Sequence, residues 1–179
     1  MAGSGAGMTS NSDSSNTPLP PHIRAGLPAD CDVVAAMVRE LALTTSPGVV
    51  PQVTGDALRR DLFGPAPLLR LAVADHSDKL TGYCLSLFMF STWRGTRGLH
   101  VIDLYVRPEA RRTKLGEQLL VETARRGWAE GARFIRLEVE RGNEGAERFY
   151  NRLGFHHKDN ETLFALYADE MSALTNRCS

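Results

Sequence analysis

The apolar positions of the chain repeat with two different periods, and each period predicts one kind of element. Val34, Met37, Val38 and Leu41 recur at helical spacing, and residues 115–128 repeat that spacing. Further helices are predicted at 53–63 and 143–155. Shorter apolar runs bounded by Gly, Pro, Asn or Asp are typical of strands, and they fall at 22–26, 68–75, 80–90, 99–106, 133–139 and 164–168.

This succession, with one further strand near the C-terminus for which no range is assigned, predicts the element order β-α-α-β-β-β-α-β-α-β-β. Strands and helices in such an order indicate a mixed sheet with helices on its faces, an α/β (α+β) architecture. The first 21 residues are rich in Gly, Ser, Asn and Pro and offer little apolar surface to bury. We therefore expect 1–21 to be a disordered tail and 22–179 to form a single domain.

The composition narrows the class of protein. Lys plus Arg and Asp plus Glu both number 21, so the zero net charge gives no sign of binding to nucleic acid or membrane. Three cysteines without a CxxC pair predict neither a disulfide framework nor a metal site. No signal peptide and no apolar run long enough to cross a bilayer are apparent. We expect a cytoplasmic protein.

The stretch "VRPEARRTKLG", residues 106–116, joins a predicted strand to a predicted helix. Arg107, Arg111, Arg112 and Lys114 crowd around the single acid Glu109. The first N–H groups of a helix have no partner within the helix, so this junction suits a phosphate group. A solvated basic turn remains the alternative. Neither a Walker loop nor a GxGxxG pattern occurs.

Two motifs carry a resemblance to a known family. Val106, Arg111 and Gly116 resemble motif A of the GNAT superfamily of acetyl-CoA-dependent N-acetyltransferases. "NEGAERFYNRLGF", residues 143–155, resembles motif B, N-x-x-A-x-x-F-Y-x-x-x-G-F. The resemblance covers 22 to about 168. It implies a mostly antiparallel central sheet and acetyl transfer from acetyl-CoA to an amine.

The resemblance also implies where acetyl-CoA binds. The family cradles the pyrophosphate on the amides of motif A, and one motif glycine is Lys114 here. A lysine is tolerated at little cost if its backbone is helical, and its ammonium can help to bind phosphate. The implied acetyl-CoA-binding residues are Leu104, Tyr105, Val106, Arg111, Arg112, Thr113, Lys114, Leu115, Gly116, Asn143, Phe149 and Tyr150.

The same resemblance implies catalytic roles. Tyr150 is expected to donate a proton to the CoA sulfur, although its place on the apolar face of its helix also suits a core residue. Asp103 lies one strand period from Tyr105 and is a candidate to receive the amine's proton or to hold a cationic substrate. A helix cap or a salt bridge is the alternative for Asp103. Glu138 and Glu140 are weaker candidates for the base.

Trp93, Gly95 and Asp103 suggest a closer resemblance to the diamine (spermidine/spermine) acetyltransferases, in which Trp93 and Asp103 would bind substrate. Ser91 and Ile102 stand where that branch carries acids. The loop also contributes Arg94 and Arg97, which would repel a polycation. The substrate is therefore open between a polyamine-like amine and an amino acid.

Other functions remain open beside a small-molecule N-acetyltransferase. A protein or peptide N-acetyltransferase shares the chemistry, and a CoA-binding module without catalysis would explain Lys114. A nucleic-acid binder is disfavoured, because no aromatic residues are interleaved with the basic cluster. The resemblance implies a homodimer.

Overall fold

The computed structural model describes residues 22–77, 79–158 and 161–175, except for the side chain of residue 169. The tail predicted to be disordered, 1–21, lies outside the described residues. The described chain divides into two compact units, with the break between residues 138 and 139. Each unit is described by itself.

The first unit carries most of the elements that the hydrophobic pattern predicts. Two 3-10 turns, Pro28–Asp30 and Pro108–Ala110, precede helices. The elements are strand β1 (His22–Ala25), helix α1 (Cys31–Thr45), helix α2 (Gly55–Phe63), strands β2 (Leu69–His76), β3 (Lys79–Ser91) and β4 (Thr96–Val106), helix α3 (Leu115–Ala129) and strand β5 (Ala132–Leu137).

The five strands form one sheet in the order β1-β2-β3-β4-β5. The pairs are antiparallel except β4–β5, which is parallel and joined through α3. Antiparallel neighbours need only short turns, whereas a parallel pair needs a crossover, here the helix. Gly131, with φ +95°, follows the end of that crossover helix, where a left-handed residue is common. The mixed, mostly antiparallel sheet predicted from the sequence is confirmed.

The core lies on both faces of the sheet. Helices α1 and α2 cover one face, where Val34, Met37, Tyr83 and Tyr105 are buried in a single cluster. Helix α3 covers the other face with Leu115, Leu119 and Leu120. The helical stripes therefore bury their apolar sides as their spacing predicts.

Strand β4 changes partners along its length. From Arg97 to Val101 it pairs with β5, whereas no residue of β4 after Val101 has a β5 partner. A register shift falls at the same place, because Leu85 pairs with Asp103 and its neighbour Ser86 pairs with Val101. Ile102 is thus an extra residue, a β-bulge of the kind that bends a strand. Strand β5 ends at Leu137, opposite Val101, so β4 continues past this bulge without a β5 partner.

The second unit contains helices α4 (Glu144–Arg152) and α5 (Ala168–Thr175). Within the described range 161–175, the strand predicted at 164–168 is wrong, because 161–167 have no regular secondary structure and a helix follows. Phe164 and Tyr167 are exposed. Their apolar pattern predicted a strand, but a strand forms only where a neighbour completes its hydrogen-bonded ladder.

In the parts of the chain that the structure covers, no helix is both long and apolar enough to cross a membrane.

Gly127 tests the close packing of α3 on the sheet. A Cβ at this position would collide with the side chain of Leu99. We expect Gly127→Ala to lower the free energy of unfolding by about 1–2 kcal/mol, although alanine is the better helix former by about 1 kcal/mol. Denaturant titration measures this. Leu99→Ala should cost less in the Gly127→Ala background than alone, and additive effects would contradict the contact.

Candidate active site

The end of β4 forms one wall of the candidate site. Leu104, Tyr105 and Val106 pair with β3 on one side and have no β5 partner on the other. Alternate residues of a strand direct their N–H and C=O groups to opposite edges, so part of this backbone has no ladder to complete. These are the backbone groups that the resemblance assigns to the acetyl-CoA thioester.

The loop that follows β4 turns by means of two left-handed residues. Arg112 and Lys114 have φ of +67° and +63°. Backbone turns of this kind gather N–H groups into concavities that bind anions. Helix α3 begins directly after Lys114, and no side chain caps its first N–H groups. The loop fits a phosphate, as the sequence predicts.

The side chains of the loop act in different ways. Arg111 turns back and donates from Nε to the backbone oxygen of Val106 at 3.0 Å, while the Thr113 hydroxyl donates to the Ala110 oxygen at 2.7 Å. These bonds fix the loop. Leu115 is buried, so only its backbone faces the loop. Gly116 lies in the first turn of α3, where the missing side chain leaves room.

Lys114 departs from the conformation that would make a lysine tolerable. Its φ and ψ of +63° and +12° lie in the left-handed region and not in the helical one. A residue with a Cβ is destabilised there by roughly 1–2 kcal/mol, whereas glycine is not. The backbone at this motif position thus has the left-handed conformation that glycine favours. The lysine is strained there, and its ammonium group is exposed.

Asp103 follows the bulge directly and lies on the face that α1 covers. Its Oδ2 accepts a hydrogen bond of 3.3 Å from the hydroxyl of Tyr83, which is fully buried. Burial raises the pKa of Asp103 above its usual value, and the Tyr83 hydrogen bond opposes that shift. Burial and the nearby Asp103 charge together raise the pKa of Tyr83, which stays a proton donor.

A polar network on the same face was missed by the sequence analysis. The Tyr105 hydroxyl donates to Glu40 Oε2 and the Arg107 guanidinium donates to Glu40 Oε1, both at 3.1 Å. Glu40 belongs to α1, 65 positions from Tyr105 along the chain. The sequence signal is the alternation of polar residues at 103, 105 and 107, of which the first two lie on one face of β4 and the third directly follows the strand.

Trp93 and Asp103 lie far apart within one chain. It lies in the turn between β3 and β4 and is 98% exposed. Asp103 is seven residues into β4, roughly 20 Å away at the usual rise of a strand. Arg94 and Arg97 also lie at that hairpin end, so their expected repulsion of a polycation does not act at Asp103 of the same chain. Substrate binding by Trp93 stays a prediction.

The motif B residues belong to the second unit. Asn143 caps α4, where its side-chain oxygen accepts from the Ala146 amide at 3.1 Å. The Tyr150 ring packs edge-on against Phe149 and Phe155, with centroids 5.0 and 5.4 Å away. Tyr150 is half-buried. Packing and proton donation are compatible in this arrangement, and the cofactor roles of Asn143, Phe149 and Tyr150 stay predictions.

A cleft of about 190 Å³ lies at the opposite end of the sheet, between α2 and the second half of α3. Its charged groups are paired with one another or with neighbours, as in Arg70–Glu130 at 2.6 Å and Arg126–Glu122 at 2.6 Å. We therefore place the chemistry at the end of β4. Among the described residues no three His, Cys, Asp or Glu side chains group as metal ligands.

Comparison with known proteins shows the family of the chain. Residues 35–155 match the acetyltransferase (GNAT) family. The chain belongs to this family. Thialysine N-epsilon-acetyltransferases of Sus scrofa and Mus musculus are each 31% identical over 140 residues, 74% of this chain and 82% of theirs. The chain is thus an acetyl-CoA-dependent N-acetyltransferase.

Solved structures with the same fold include an integron cassette protein from the mobile metagenome of V. cholerae, with a TM-score of 0.73 at 17% identity over 88% of this chain and 99% of that chain. Another is a possible acetyltransferase from Clostridium difficile 630, with a TM-score of 0.69 at 22% identity over 83% and 99%. At these identities the likeness concerns the fold alone.

The basic, left-handed loop and the unpaired edge of β4 fit acetyl-CoA, whose thioester supplies the acetyl group. Two substitutions of Lys114 separate the effect of its backbone strain from the effect of its ammonium group. We expect Lys114→Gly to raise the free energy of unfolding by about 1 kcal/mol, because the left-handed strain disappears. Lys114→Ala, the matched control, removes the ammonium but keeps the strain.

Both Lys114 variants should bind acetyl-CoA no more tightly than the wild type when measured by calorimetry. A large gain in affinity for Lys114→Gly would show that the lysine obstructs the loop instead of assisting it.

Asp103→Asn tests whether the buried carboxylate serves function at the expense of stability. The raised pKa means that the folded state holds the proton more tightly than the unfolded state does. The stability that the protonated Asp103 carboxyl contributes is therefore complete below the pKa of Asp103 in the unfolded state. It is lost as the pH rises through the pKa of Asp103 in the folded state. At neutral pH we expect the variant to unfold at a higher temperature, with acetyl transfer lowered about 10²–10⁴-fold. A less stable variant at neutral pH would contradict this reading.

Proposed function

We propose that the acceptor is the primary amine of a small molecule, and that an amino acid with an amine in its side chain is the preferred class. The observation that carries this is the Asp103 carboxylate, which lies two residues past Val101, the last residue of β4 that pairs with β5. The name of the curated relatives, thialysine N-epsilon-acetyltransferase, supports the class. A diamine and a peptide are the alternatives.

In this proposal Asp103 receives the proton that the attacking amine must lose, directly or through water. An ammonium has no free electron pair, so a nearby base is required before nitrogen can attack the acyl carbon. The buried position of Asp103 supports this role, because its raised pKa is closer to the pKa of the amine whose proton it accepts. Asp103 would also attract the cationic substrate.

The backbone of Leu104, Tyr105 and Val106 would bind the acetyl-bearing arm of the donor, and the amides of 111–116 its pyrophosphate. Tyr150 would donate a proton to sulfur as the carbon–sulfur bond breaks. A phenol retains its proton at neutral pH and can still donate it. The match of Tyr150 to motif B supports the assignment.

Three coarser features belong to the same proposal. Residues 22–179 would act as one acetyltransferase domain. The protein would work in the cytoplasm, which the free, buried thiols of Cys31 and Cys84 suit. It would form a homodimer, as the family resemblance implies. The exposed Phe90 and Trp93 at the β3–β4 hairpin offer apolar surface for such a contact.

The direct test is release of free thiol from acetyl-CoA with a panel of amino acids, diamines, aminoglycosides and peptides. We expect turnover with small amines and the highest kcat/KM with an amino acid that has a side-chain amine. Turnover only with peptides would favour the alternative. No turnover with any amine, despite acetyl-CoA binding, would leave a binding module without catalysis.

Tyr150→Phe tests the general acid with little change in packing. The ring contacts to Phe149 and Phe155 are retained and only the hydroxyl is lost. We expect kcat to fall about 10²–10⁴-fold, with acetyl-CoA affinity and melting temperature nearly unchanged. Full turnover at saturating substrate would assign Tyr150 to packing alone.

A further inference from the structure

The polar network of Glu40, Tyr105 and Arg107 is more than a link between α1 and β4. The Glu40 side chain is 37% exposed and that of Arg107 is 16% exposed, so solvent reaches the ion pair. Among the described residues the Arg107 Nε has no hydrogen-bond partner, although it is buried. A buried donor left without a partner destabilises the fold, so a purely structural role leaves it unexplained.

The network lies on the same strand face as Asp103. Asp103 and Tyr105 of β4 point to one side, with their α-carbons about 7 Å apart. Arg107 follows the end of the strand, and its guanidinium reaches the same Glu40 carboxylate that Tyr105 contacts. At one end of this polar face lies Asp103, which accepts a hydrogen bond from Tyr83. At the far end lies the Glu40–Arg107 ion pair. Tyr105 lies between them and donates to Glu40.

The two ends require different chemical groups. Asp103 attracts an amine at the acetylation site. The far end presents a carboxylate and a guanidinium 3.1 Å apart, which is complementary to a cation and an anion held close together. An α-amino acid head group carries such a pair, an ammonium and a carboxylate on one carbon, whereas a diamine has only cations.

The spacing is compatible with a lysine-like molecule. Five bonds of about 1.5 Å in a zigzag separate the side-chain nitrogen from the α-carbon, a reach of roughly 6 Å. That reach is close to one strand period, the separation of Asp103 from Tyr105. The head group would then lie beside Tyr105, within range of the long Arg107 side chain.

We propose that Glu40 and Arg107 recognise the α-amino acid head group of the acceptor, with Arg107 binding its carboxylate and Glu40 its ammonium. This inference rests on the proposed acetylation of a small amine and names the residues that distinguish an amino acid from a diamine. Arg107 presents a planar set of donors that matches a carboxylate.

The test uses three acceptors that share one side-chain amine. These are lysine or its thialysine analogue, the diamine made by removing its carboxylate, and the Nα-acetylated form, which lacks the α-ammonium. The wild-type protein should acetylate the amino acid with the highest kcat/KM. If the wild type acetylates the diamine as well as or better than the amino acid, the proposal is wrong even though small amines are substrates.

Arg107→Met should lower kcat/KM for the amino acid about 10- to 100-fold, the effect of one charge-assisted hydrogen bond, and leave that for the diamine nearly unchanged. The loss should appear mainly in KM, since the acetylation chemistry is remote. An equal loss for both acceptors would assign Arg107 to structure only and overturn the proposal.

Glu40→Gln should reduce the preference for the amino acid over its Nα-acetylated form by a similar factor, because that form has no ammonium for Glu40 to bind. Arg125→Met is the matched control, since Arg125 is an exposed arginine of α3 that pairs only with Glu122 in the described structure. It should leave all three acceptors unchanged. An unaltered preference in Glu40→Gln would remove Glu40 from the site.

The two failures are distinguishable. If the wild type acetylates none of the three acceptors, the proposed small-amine function fails and the inference fails with it. If the wild type acetylates all three at equal rates, the proposed function holds and only the recognition of the head group is wrong. The comparison of the three acceptors uses only the wild-type protein, so it tests the proposal even if Arg107→Met folds poorly.

Discussion

The end of the β4–β5 pairing at Val101 is the constraint on which the rest of the candidate site depends. A parallel pair that continued to Val106 would use the backbone groups of Leu104 to Val106 in a ladder and leave none of them for a ligand. Strand β5 ends opposite Val101, and the bulge at Ile102 advances the following residues of β4 by one position relative to β3. The bulge therefore sets which face Asp103 occupies, on the stretch of β4 that has no β5 partner.

The second consequence concerns the loop after β4. The chain must turn within a few residues between the end of β4 and the start of α3, which packs against the sheet. Arg112 and Lys114 achieve this turn in left-handed conformations, which glycine adopts more easily. Both side chains are exposed and basic. Backbone strain retained in a loop of this kind is typical of functional sites.

The sequence predicted most elements of the first unit because their hydrophobic periods are strong and their ends carry Gly, Pro or capping residues. It predicted a basic junction between a strand and a helix from local charge and spacing, and phosphate binding there stays a prediction. It did not predict the segment at 164–168 correctly, since apolar residues at 163–167 indicate only a propensity and strand pairing is non-local. The Glu40–Tyr105–Arg107 network is equally non-local, and the left-handed φ of Lys114 contradicts the preference of its own side chain.

The sheet face beneath α1 shows how two neighbouring strands, β3 and β4, serve both packing and chemistry. Tyr83 and Tyr105 bury their rings in the core, 6.1 Å apart, while each hydroxyl reaches a carboxylate, Asp103 or Glu40. A phenylalanine would fill the same volume, but it would leave both acids without these donors. The two hydroxyls therefore fix two charges along one strand face that is otherwise apolar. Such a fixed pair of charges suits a substrate with two charged ends. The two carboxylates are already ordered in the folded protein, so substrate binding does not have to order them.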